Sequence, residues 1–526
     1  MWRVNCWAGR RTIELGINYP RMTLVLGGEE KPREFTFADL DQAANGVARA
    51  LVAKGYEPGE RVAILSANRF ETLAAYYGTM RAGLVSVPVN FKFPRQLIHY
   101  ILEDCGAELV FCDAARKSNC PPGLPVVDFS ADGPVGFENF LDHGPFQATT
   151  PALNEPAMFL YTSGSSGKPK GVILSHQSHI WVAETRLGNQ DLSRHRYLIA
   201  APLYHMNALV LAKLACVGHS TMVILPQFSA RAYIEAIGTY RATWLTAVPP
   251  MLAMMLREEE LLARTDLSSV EFGRMGSAPV SQSLMTNLKR VFSNAAITNA
   301  YGTTEAGPVV FGPHPQGLSQ PELSVGCAHP LSSLRLVDGE NRHAEQGVLE
   351  MKYPALMNGY HNRPDLKPPF TDDGFYITGD VFRRDENGFY YFVGCSDDMF
   401  VSGGENIYPS DVERMLERHT AVGQAAVVPI DDDVKGTKPV AFTILKSGQQ
   451  TSVDEIKQFA LADAPAYQHP REVWFVDEIP LASTNKIDRR AFKPEAVKRT
   501  GSDASRARPE RSWPGQLAID VSRIST

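Results

Sequence analysis

The sequence predicts an α/β protein with a large N-terminal domain, built from α/β subdomains and a β region, and a small α+β C-terminal domain. In residues 37–112, apolar segments with helical spacing alternate with short apolar runs typical of strands, which favours β-α-β units on a mostly parallel sheet. The chain has 526 residues, more than a single hydrophobic core usually organises. The pattern changes near residue 397, so we predict domains over 1–396 and 397–497, followed by a disordered tail over 498–526.

The individual elements of the first region follow from its periodicity. Leu40, Val47 and Leu51 belong to an apolar stripe that predicts a helix over residues 37–55. The elements predicted after it are a strand at 61–65, a helix at 71–81, a strand at 84–89, a helix at 95–103 and a strand at 108–112. Residues 113–150 are rich in Pro, Gly and Asp, which predicts an irregular segment before a second α/β stretch.

Two later regions have a different pattern of apolar, turn and capping residues. Residues 334–391 contain short apolar runs separated by Asp-Gly, Glu-Asn and Asn-Gly turns, which predicts antiparallel strands. Beyond residue 397, Ser410 with Glu413 and Ser452 with Glu455 match the capping box that opens helices. Strands are expected there at 424–428, 440–445 and 472–476.

Composition and charge narrow the class of protein. The formal net charge is -6, whereas nucleic-acid-binding domains usually present a basic face, so nucleic acid is not expected as a partner. The seven cysteines are scattered and form no C-x-x-C pair, which predicts neither a disulfide framework nor a zinc site. This cysteine usage, with no apolar signal segment near the N-terminus, favours a cytoplasmic enzyme.

One window is apolar enough to be compared with a membrane span. Residues 201–218 are interrupted by Pro202, His205, Asn207 and Lys213, whereas a spanning helix needs about 20 mostly apolar residues. We therefore expect a core helix there and no transmembrane segment.

The segment YTSGSSGKPKG, residues 161–171, has the composition of a phosphate-binding loop. Glycines let the main chain approach an anion closely and turn its N–H groups towards it, and Lys168 and Lys170 add positive charge. Apolar runs on both sides predict a strand-to-strand turn. Pro169 follows the Gly-Lys pair, which disfavours the ordinary P-loop, and a flexible Gly/Ser surface hairpin is the alternative. The loop residues are Thr162, Ser163, Gly164, Ser165, Ser166 and Gly167.

Four more segments join this loop: NAYGTTEAGPV (299–309), YITGD (376–380), GCSDDMFVSGGENIYPSDVE (394–413) and STNKIDRR (483–490). Together they resemble the adenylate-forming (AMP-binding) superfamily of acyl-CoA synthetases, adenylation domains and luciferases, over roughly residues 20–495. The sequences of these segments are most similar to those of aryl- and fatty-acyl-CoA ligases. This resemblance implies a carboxylic acid, ATP, Mg²⁺ and coenzyme A as the small molecules bound, and a mobile C-terminal domain.

The resemblance also assigns residues to the nucleotide site. Glu305 is similar to the family's magnesium ligand, with Thr162 beside it, and hard oxygen ligands are what Mg²⁺ prefers. Asp380 resembles the carboxylate that binds both ribose hydroxyls, and Tyr301 resembles one wall of the adenine slot. The other residues implied in nucleotide binding are Lys170, Gly276, Ser277, Ala278, Pro279, Asn299, Ala300, Gly302, Thr303 and Thr304.

The resemblance divides two half-reactions between two arrangements of the C-terminal domain. Lys486 resembles the lysine that bridges the carboxylate and the α-phosphate, and Asn485 stands where glycine is common but tolerates positive φ as well. Asp397 matches the hinge. Rotation there would withdraw the lysine and bring in the lining of the CoA tunnel, which consists of Ser402, Gly403 and Gly404. Cys395 departs from the family, which usually has an arginine there that binds ribose and phosphate.

The acyl pocket is implied in the same way. His205 matches the aromatic position beside the carboxylate site, and the further walls are Asn207, Ala300, Pro308 and Val309. These side chains are small to medium and mostly apolar, which favours a neutral aromatic or aliphatic acid.

Three functions are compared. The leading hypothesis is an ATP-dependent carboxylate:CoA ligase that forms an acyl-adenylate and then a thioester. An adenylation enzyme that loads a carrier protein is the first alternative, although the segment around His205 lacks the aspartate that would pair with a substrate ammonium. A catalytically weakened nucleotide-binding scaffold is the second, because of Cys395. For each proposed site residue taken alone, the alternative interpretation is a structural role in core packing, in a turn or as a surface charge. A homodimer is compatible with the sequence.

Overall fold

The structure, a computed structural model, describes residues 22–24, 32–162, 169–277, 280, 282–308, 310–340, 342–402, 405–432, 436–464, 467–481 and 487–500. The strands are β1 (Met22–Leu24), β2 (Arg33–Phe35), β3 (Arg61–Leu65), β4 (Val85–Pro88), β5 (Ala107–Cys112), β6 (Val126–Asp128), β7 (Pro156–Thr162), β8 (Lys170–Ser175), β9 (Arg196–Ile199), β10 (Thr221–Ile224), β11 (Trp244–Ala247), β12 (Phe272–Met275), β13 (Ala296–Asn299), β14 (Phe311–Gly312), β15 (Gly326–Ala328), β16 (Ser333–Val337), β17 (Gln346–Lys352), β18 (Gly359–His361), β19 (Tyr376–Arg384), β20 (Phe389–Cys395), β21 (Phe400–Ser402), β22 (Glu405–Ile407), β23 (Val422–Asp432), β24 (Gly436–Leu445) and β25 (Glu472–Phe475).

The α-helices are α1 (Phe37–Ala53), α2 (Phe70–Arg81), α3 (Arg95–Asp104), α4 (Phe137–Phe140), α5 (His176–Leu187), α6 (Met206–Val217), α7 (Ala230–Tyr240), α8 (Pro249–Leu256), α9 (Glu259–Arg264), α10 (Gln282–Val291), α11 (Pro409–Glu417), α12 (Val453–Asp463) and α13 (Arg489–Thr500). Short 3₁₀ helices lie at Ala114–Asn119 and Ser396–Asp398. The mixed α/β architecture, with a large N-terminal part and a small C-terminal one, confirms the predicted fold class.

The first sheet has the spatial order β18-β8-β7-β4-β3-β5-β6. The strands from β7 to β6 in that order run parallel, as the alternating pattern predicts, and α1 to α3 connect or cover them. The expectation of an irregular segment over 113–150 was wrong in part, because it contains β6, α4 and a 3₁₀ helix. β6 is three residues long and flanked by turns, so its two valines are too short a run to predict a strand, and pairing with β5 stabilises it.

The second sheet is parallel throughout, in the order β10-β9-β11-β12-β13. The apolar window at 201–218 forms α6, whose residues from Ala208 to Cys216 are all buried, so the expected core helix is confirmed. Among the described residues, no helix is both long and apolar enough to cross a membrane.

Asn68 joins these two sheets. Its side-chain amide donates to the carbonyls of Ala201 and Leu225, at 2.9 and 3.0 Å, and its oxygen accepts from the N–H of Leu203 at 2.7 Å. The residue is 1% exposed, so these bonds form away from water, and every polar atom of the side chain is used. The sequence gives no sign of this role, because a lone asparagine after a strand ordinarily predicts a turn.

The third sheet is antiparallel, in the order β14-β15-β20-β19-β17-β16, which confirms the β region predicted over 334–391. Antiparallel β7 and β8 form the predicted strand-to-strand turn, with Thr162 paired to Lys170. Residues 163–168 of that turn lie outside the described ranges.

The C-terminal part contains the sheet β22-β21-β24-β23, with β25 parallel to β24, and the three strands predicted there are confirmed. The Ser452 and Glu455 capping box is confirmed at the start of α12. The one predicted for Ser410 and Glu413 was wrong, because α11 begins at Pro409 and the Glu413 carboxylate turns inward to Arg489. α13 runs to Thr500, so residues 498–500 are helical rather than disordered, whereas 501–526 lie outside the described ranges.

Replacing Asn68 with alanine is expected to lower the free energy of unfolding by at least about 2 kcal/mol, because two carbonyls and one N–H group would stay buried without their partner. Thermal and urea unfolding would measure the loss. Asn387→Ala is the matched control, since that side chain is exposed in a turn, and its effect is expected to stay within about 0.5 kcal/mol. Similar losses in the two variants would contradict the role of Asn68.

Candidate functional site

Residues 299–308 form a compact loop at the carboxyl end of β13. The N–H of Ala300 donates to the carbonyl of Met275 at 2.8 Å, and the turn is closed by the bond from Gly307 N–H to the carbonyl of Thr303, also 2.8 Å. A Cβ added at Gly302 would lie 2.6 Å from the Cα of Pro308, so only glycine fits there. The close packing presents Thr303, Thr304 and Glu305 at one edge of the sheet.

The strand end at Gly276 and Ser277 lies against this loop. A Cβ at Gly276 would be 2.6 Å from the carbonyl oxygen of Ala300, and Ser277 has a left-handed φ of 67°. This backbone approach places the start of the 276–279 segment beside Ala300, the residue before Tyr301. Ala278 and Pro279 lie outside the described residues.

Asp380 is held by donors on both sides. The Tyr301 hydroxyl donates to its Oδ2 at 2.6 Å, and the Cys395 thiol donates to its Oδ1 at 2.9 Å. Cys395 reaches the carboxylate because the two residues are directly opposite in the antiparallel pair β19 and β20. Burial, and then the Asp380 charge, raise the pKa of Tyr301 well above its usual value, so the phenol stays protonated and keeps donating.

Glu305 connects to the phosphate loop through Tyr360, a residue that sequence reasoning missed. The Tyr360 hydroxyl donates to Oε1 of Glu305 at 3.1 Å, and the Lys170 ammonium lies 4.7 Å from the centre of the Tyr360 ring. Lys170 in turn pairs with Thr162 across β7 and β8. The structure therefore brings Thr162, Lys170 and Glu305 to one region, with Tyr360 between them.

Tyr376 opens the YITGD segment, but sequence reasoning gave it no role of its own in the site. Burial, and then the charge of Glu305, raise its pKa, so the phenol stays protonated. For Tyr360 there is no local signal, because β18 joins β8 across a large separation in sequence.

Glu305 and Thr162 are the residues that fit a magnesium ion. Both offer hard oxygen donors, and no residue within the described ranges hydrogen-bonds the second carboxylate oxygen of Glu305. The described residues contain no group of three or more His, Cys, Asp or Glu side chains placed to hold a metal. A Mg²⁺ that keeps several waters and binds substrate phosphates requires only one or two protein ligands, so the donor set is compatible with it.

The proposed acyl-pocket residues lie around α6. His205 precedes this helix, its ring centre 4.7 Å from that of Tyr204, and burial followed by the charge of Lys92 lowers its pKa to about 4, so the imidazole is neutral at pH 7. Asn207 accepts a hydrogen bond from Thr246 at 2.9 Å.

The carbonyl of Pro308, a further residue of the proposed acyl pocket, accepts hydrogen bonds from two arginines, Arg186 at 3.2 Å and Arg274 at 3.4 Å. The part of the proposed pocket wall that Pro308 forms is therefore less apolar than the residue types in the sequence indicate.

Ser402 is buried at the end of β21. Several other predicted site residues are not described, and of Asp397 only the backbone is described. The residues outside the described ranges are Ser163, Gly164, Ser165, Ser166, Gly167, Lys168, Val309, Gly403, Gly404 and Lys486. For these residues the predicted roles stay predictions.

Comparisons with known proteins identify the family of this chain. Residues 18–361 match the model of the AMP-binding enzyme family and residues 411–486 match that of the AMP-binding enzyme C-terminal domain. The chain is 28% identical to "Medium-chain acyl-CoA ligase ACSF2, mitochondrial" of Danio rerio, covering 93% of this chain and 88% of that protein. It is 30% identical to the feruloyl-CoA synthase of an Amycolatopsis species, covering 86% and 92%.

The fold is shared with solved structures as well. The crystal structure of ATP-bound MatB from Rhodopseudomonas palustris superposes with a TM-score of 0.82 at 24% identity, over 91% of this chain and 96% of that one, a likeness that concerns the fold alone. The two family models match in chain order, over residues 18–361 and then 411–486. The chain belongs to the AMP-binding enzyme family.

Proposed function

We propose that this enzyme is an ATP-dependent carboxylate:CoA ligase, which forms an acyl-adenylate with release of pyrophosphate and then an acyl-CoA thioester with release of AMP. The observation that carries the proposal is the convergence of Asp380, Glu305 and Lys170 around one loop, each held by a tyrosine. Acyl-CoA ligases among the relatives support the thioester step. An aromatic or fatty carboxylic acid is the proposed substrate class.

In the first half-reaction, a carboxylate attacks the α-phosphate, so two anions must be brought together. N–H groups of residues 163–167 and the Lys170 ammonium would stabilise the phosphates as charge develops. Asp380 would accept hydrogen bonds from the ribose hydroxyls, and Tyr301 would face the adenine. Mg²⁺, held by Glu305 and Thr162, would neutralise phosphate charge when bound.

The two half-reactions would use different positions of the C-terminal domain. Lys486 would bridge the incoming carboxylate and the α-phosphate, and a rotation at Asp397 would then replace it with residues 402–404, which line the path for the CoA thiol. A neutral His205 would lie beside the carboxylate site. Its low pKa suits this position, because an uncharged ring neither attracts nor neutralises the attacking carboxylate at pH 7.

A pyrophosphate-release assay with a panel of carboxylic acids, with and without CoA, tests the proposal. Turnover that requires CoA and yields a thioester would support the ligase. Adenylate formation with no transfer to CoA would favour the carrier-loading enzyme. No nucleotide turnover with any acid would favour the weakened scaffold and overturn the ligase.

The cellular setting is also a proposal. Acidic net charge and scattered cysteines support a cytoplasmic location, whereas the zebrafish relative is named as mitochondrial. Fractionation of cells that express the tagged chain would distinguish the two compartments. Sedimentation equilibrium would test whether the enzyme is a homodimer.

Replacing Cys395 with arginine is expected to lower KM for ATP by about tenfold, because a guanidinium would add a charge-assisted hydrogen bond worth on the order of 1.5 to 3 kcal/mol. Steady-state kinetics with varied ATP would measure it. Cys395→Ser is the matched control, since a hydroxyl still donates to Asp380 but carries no charge, and its KM should stay close to that of the parent. An unchanged or raised KM in folded Cys395→Arg would contradict the assigned position.

Replacing Lys486 with alanine is expected to abolish adenylate formation while sparing thioester formation from supplied acyl-adenylate, because the lysine acts only where two anions meet. Pyrophosphate release measures the first step, and thioester formation from synthetic acyl-adenylate measures the second. Lys493→Ala, a change of another lysine in the same domain, is the control and should spare both steps. Equal loss of both steps in Lys486→Ala would refute the division of labour.

A further inference from the structure

Lys213 is an unusual residue for the helix that carries it. Its neighbours in α6 are apolar, and the helix is buried from Ala208 to Cys216. Lys213 itself is only 7% exposed, although lysine is almost never fully buried without a partner. Such a position needs either a counterion or a ligand, because an isolated buried ammonium is strongly unfavourable.

The contacts of Lys213 do not include a counterion. Its Nζ lies 2.7 Å from Nδ1 of His179 on α5 and 5.5 Å from the centre of the Tyr76 ring. No carboxylate within the described part of the chain forms an ion pair with it. Burial lowers the pKa of Lys213 to about 7, and burial followed by the Lys213 charge lowers the pKa of His179 well below its usual value.

The pair presents hydrogen-bond donors that lack acceptors. When the ammonium donates to Nδ1 of His179, the neutral imidazole carries its proton on Nε2. That nitrogen is buried and makes no hydrogen bond within the described residues. The ammonium has further N–H groups beyond the one that His179 accepts. A ligand oxygen would therefore satisfy donors that the protein leaves unmatched.

The donors line a small cavity next to the proposed acyl site. Its volume is about 10 Å³, room for a single oxygen-sized group, and Lys213 and His179 form part of its wall. Gly307, from the loop that carries Glu305, and Met206, which follows His205, line the same cavity. The other lining residues are Leu174, Ser178, Val182, Val210 and Ala355.

The distance along α6 between His205 and Lys213 indicates the length of acid that the site would hold. Met206, Val210 and Lys213 are spaced so that they share one face of α6, which is why all three line the cavity. Lys213 is eight residues after His205 in the sequence, a rise of about 12 Å along the helix axis, and lysine side chains on helices point back towards the N-terminus. The backbone positions of His205 and Lys213 are therefore about 12 Å apart along the helix axis, a span comparable to the length of a medium-chain acid.

We propose that the acid activated by this enzyme carries an oxygen acceptor at the end remote from its reacting carboxyl group, bound by the Lys213 ammonium with His179 as a positioning residue. This inference rests on the proposed ligase function and narrows its substrate class. The remote group is a carboxylate, a hydroxyl or a carbonyl. The acid is therefore polar at both ends, unlike the neutral tail that the sequence alone favours.

Matched acids test the proposal in the full-length enzyme. The probes are trans-cinnamic acids with a carboxylate, a hydroxyl or a methyl group in the para position, and the pair octanedioate and octanoate. The enzyme is expected to show a kcat/KM for a polar-ended acid about ten- to a hundredfold above that for its apolar counterpart, the range that a charge-assisted hydrogen bond supplies. Comparison of kcat/KM between the carboxylate-bearing and the hydroxyl-bearing acids distinguishes an anionic acceptor from a neutral one.

Lys213→Met keeps the length of the side chain and removes the donor, so the kcat/KM ratio between polar and apolar acids is expected to fall by about ten- to a hundredfold. Lys289→Met, on an exposed face of α10, is the control and should leave the ratio unchanged. Thermal unfolding should show that Lys213→Met folds, because it removes an unpaired buried charge.

Two results would overturn the proposal. One is a preference of the parent enzyme for the apolar acids, a comparison that needs no variant. The other is an unaltered preference in Lys213→Met. Absence of pyrophosphate release with every acid would instead refute the ligase function, and the substrate inference would fail with it.

Discussion

Residues 299–308 are hydrogen-bonded to three different sheets, and the geometry of the site depends on this shared anchoring. Ala300 bonds to the end of the second sheet, and the carbonyl of Glu305 accepts from the N–H of Met357 at 2.7 Å, close to the strand that joins the first sheet. Tyr301 bonds to Asp380 on the third sheet. A loop with only one of these attachments would leave the carboxylates of Glu305 and Asp380 free to separate, whereas catalysis requires them to stay fixed relative to each other.

The donors that hold these carboxylates are neutral. Tyr301, Tyr360 and Cys395 orient Asp380 and Glu305 without cancelling their charge. A cationic side chain in place of Tyr360 would orient Glu305 equally well, but would leave less negative charge for a cation. The arrangement is suited to a site where carboxylates must bind other groups. Positive charge comes instead from the loop next to Lys170, where phosphates would lie.

The sequence predicts elements with strong periodicity, such as α1, β3 and α2, nearly to the residue, because local pattern and burial agree there. Prediction from the sequence fails where a buried charge or a pairing of strands distant in sequence determines the structure. The Glu413 carboxylate bonds to Arg489 rather than capping its helix, and Tyr360 reaches Glu305 through a distant strand pair. Lys213 was visible as the only charge in an apolar helix, yet only the cavity reveals what surrounds it. Sequence motifs predict the residues that would bind the nucleotide, whereas Lys213, the proposed contact to the acid, lies outside any motif.

Close in sequence to Lys486, the small domain contains a cluster of ion pairs. Arg489, three residues after that lysine, makes two bonds to the buried Glu413 carboxylate, at 2.7 and 3.1 Å, and one to Asp398 at 3.1 Å. Burial raises the pKa of Glu413, and the arginine opposes that shift, so the pair is stable only while both partners remain. Asp398 directly follows the proposed hinge. A rotation at Asp397 would therefore move α13 together with α11 as one body, because separating them would break the buried ion pair between Arg489 and Glu413.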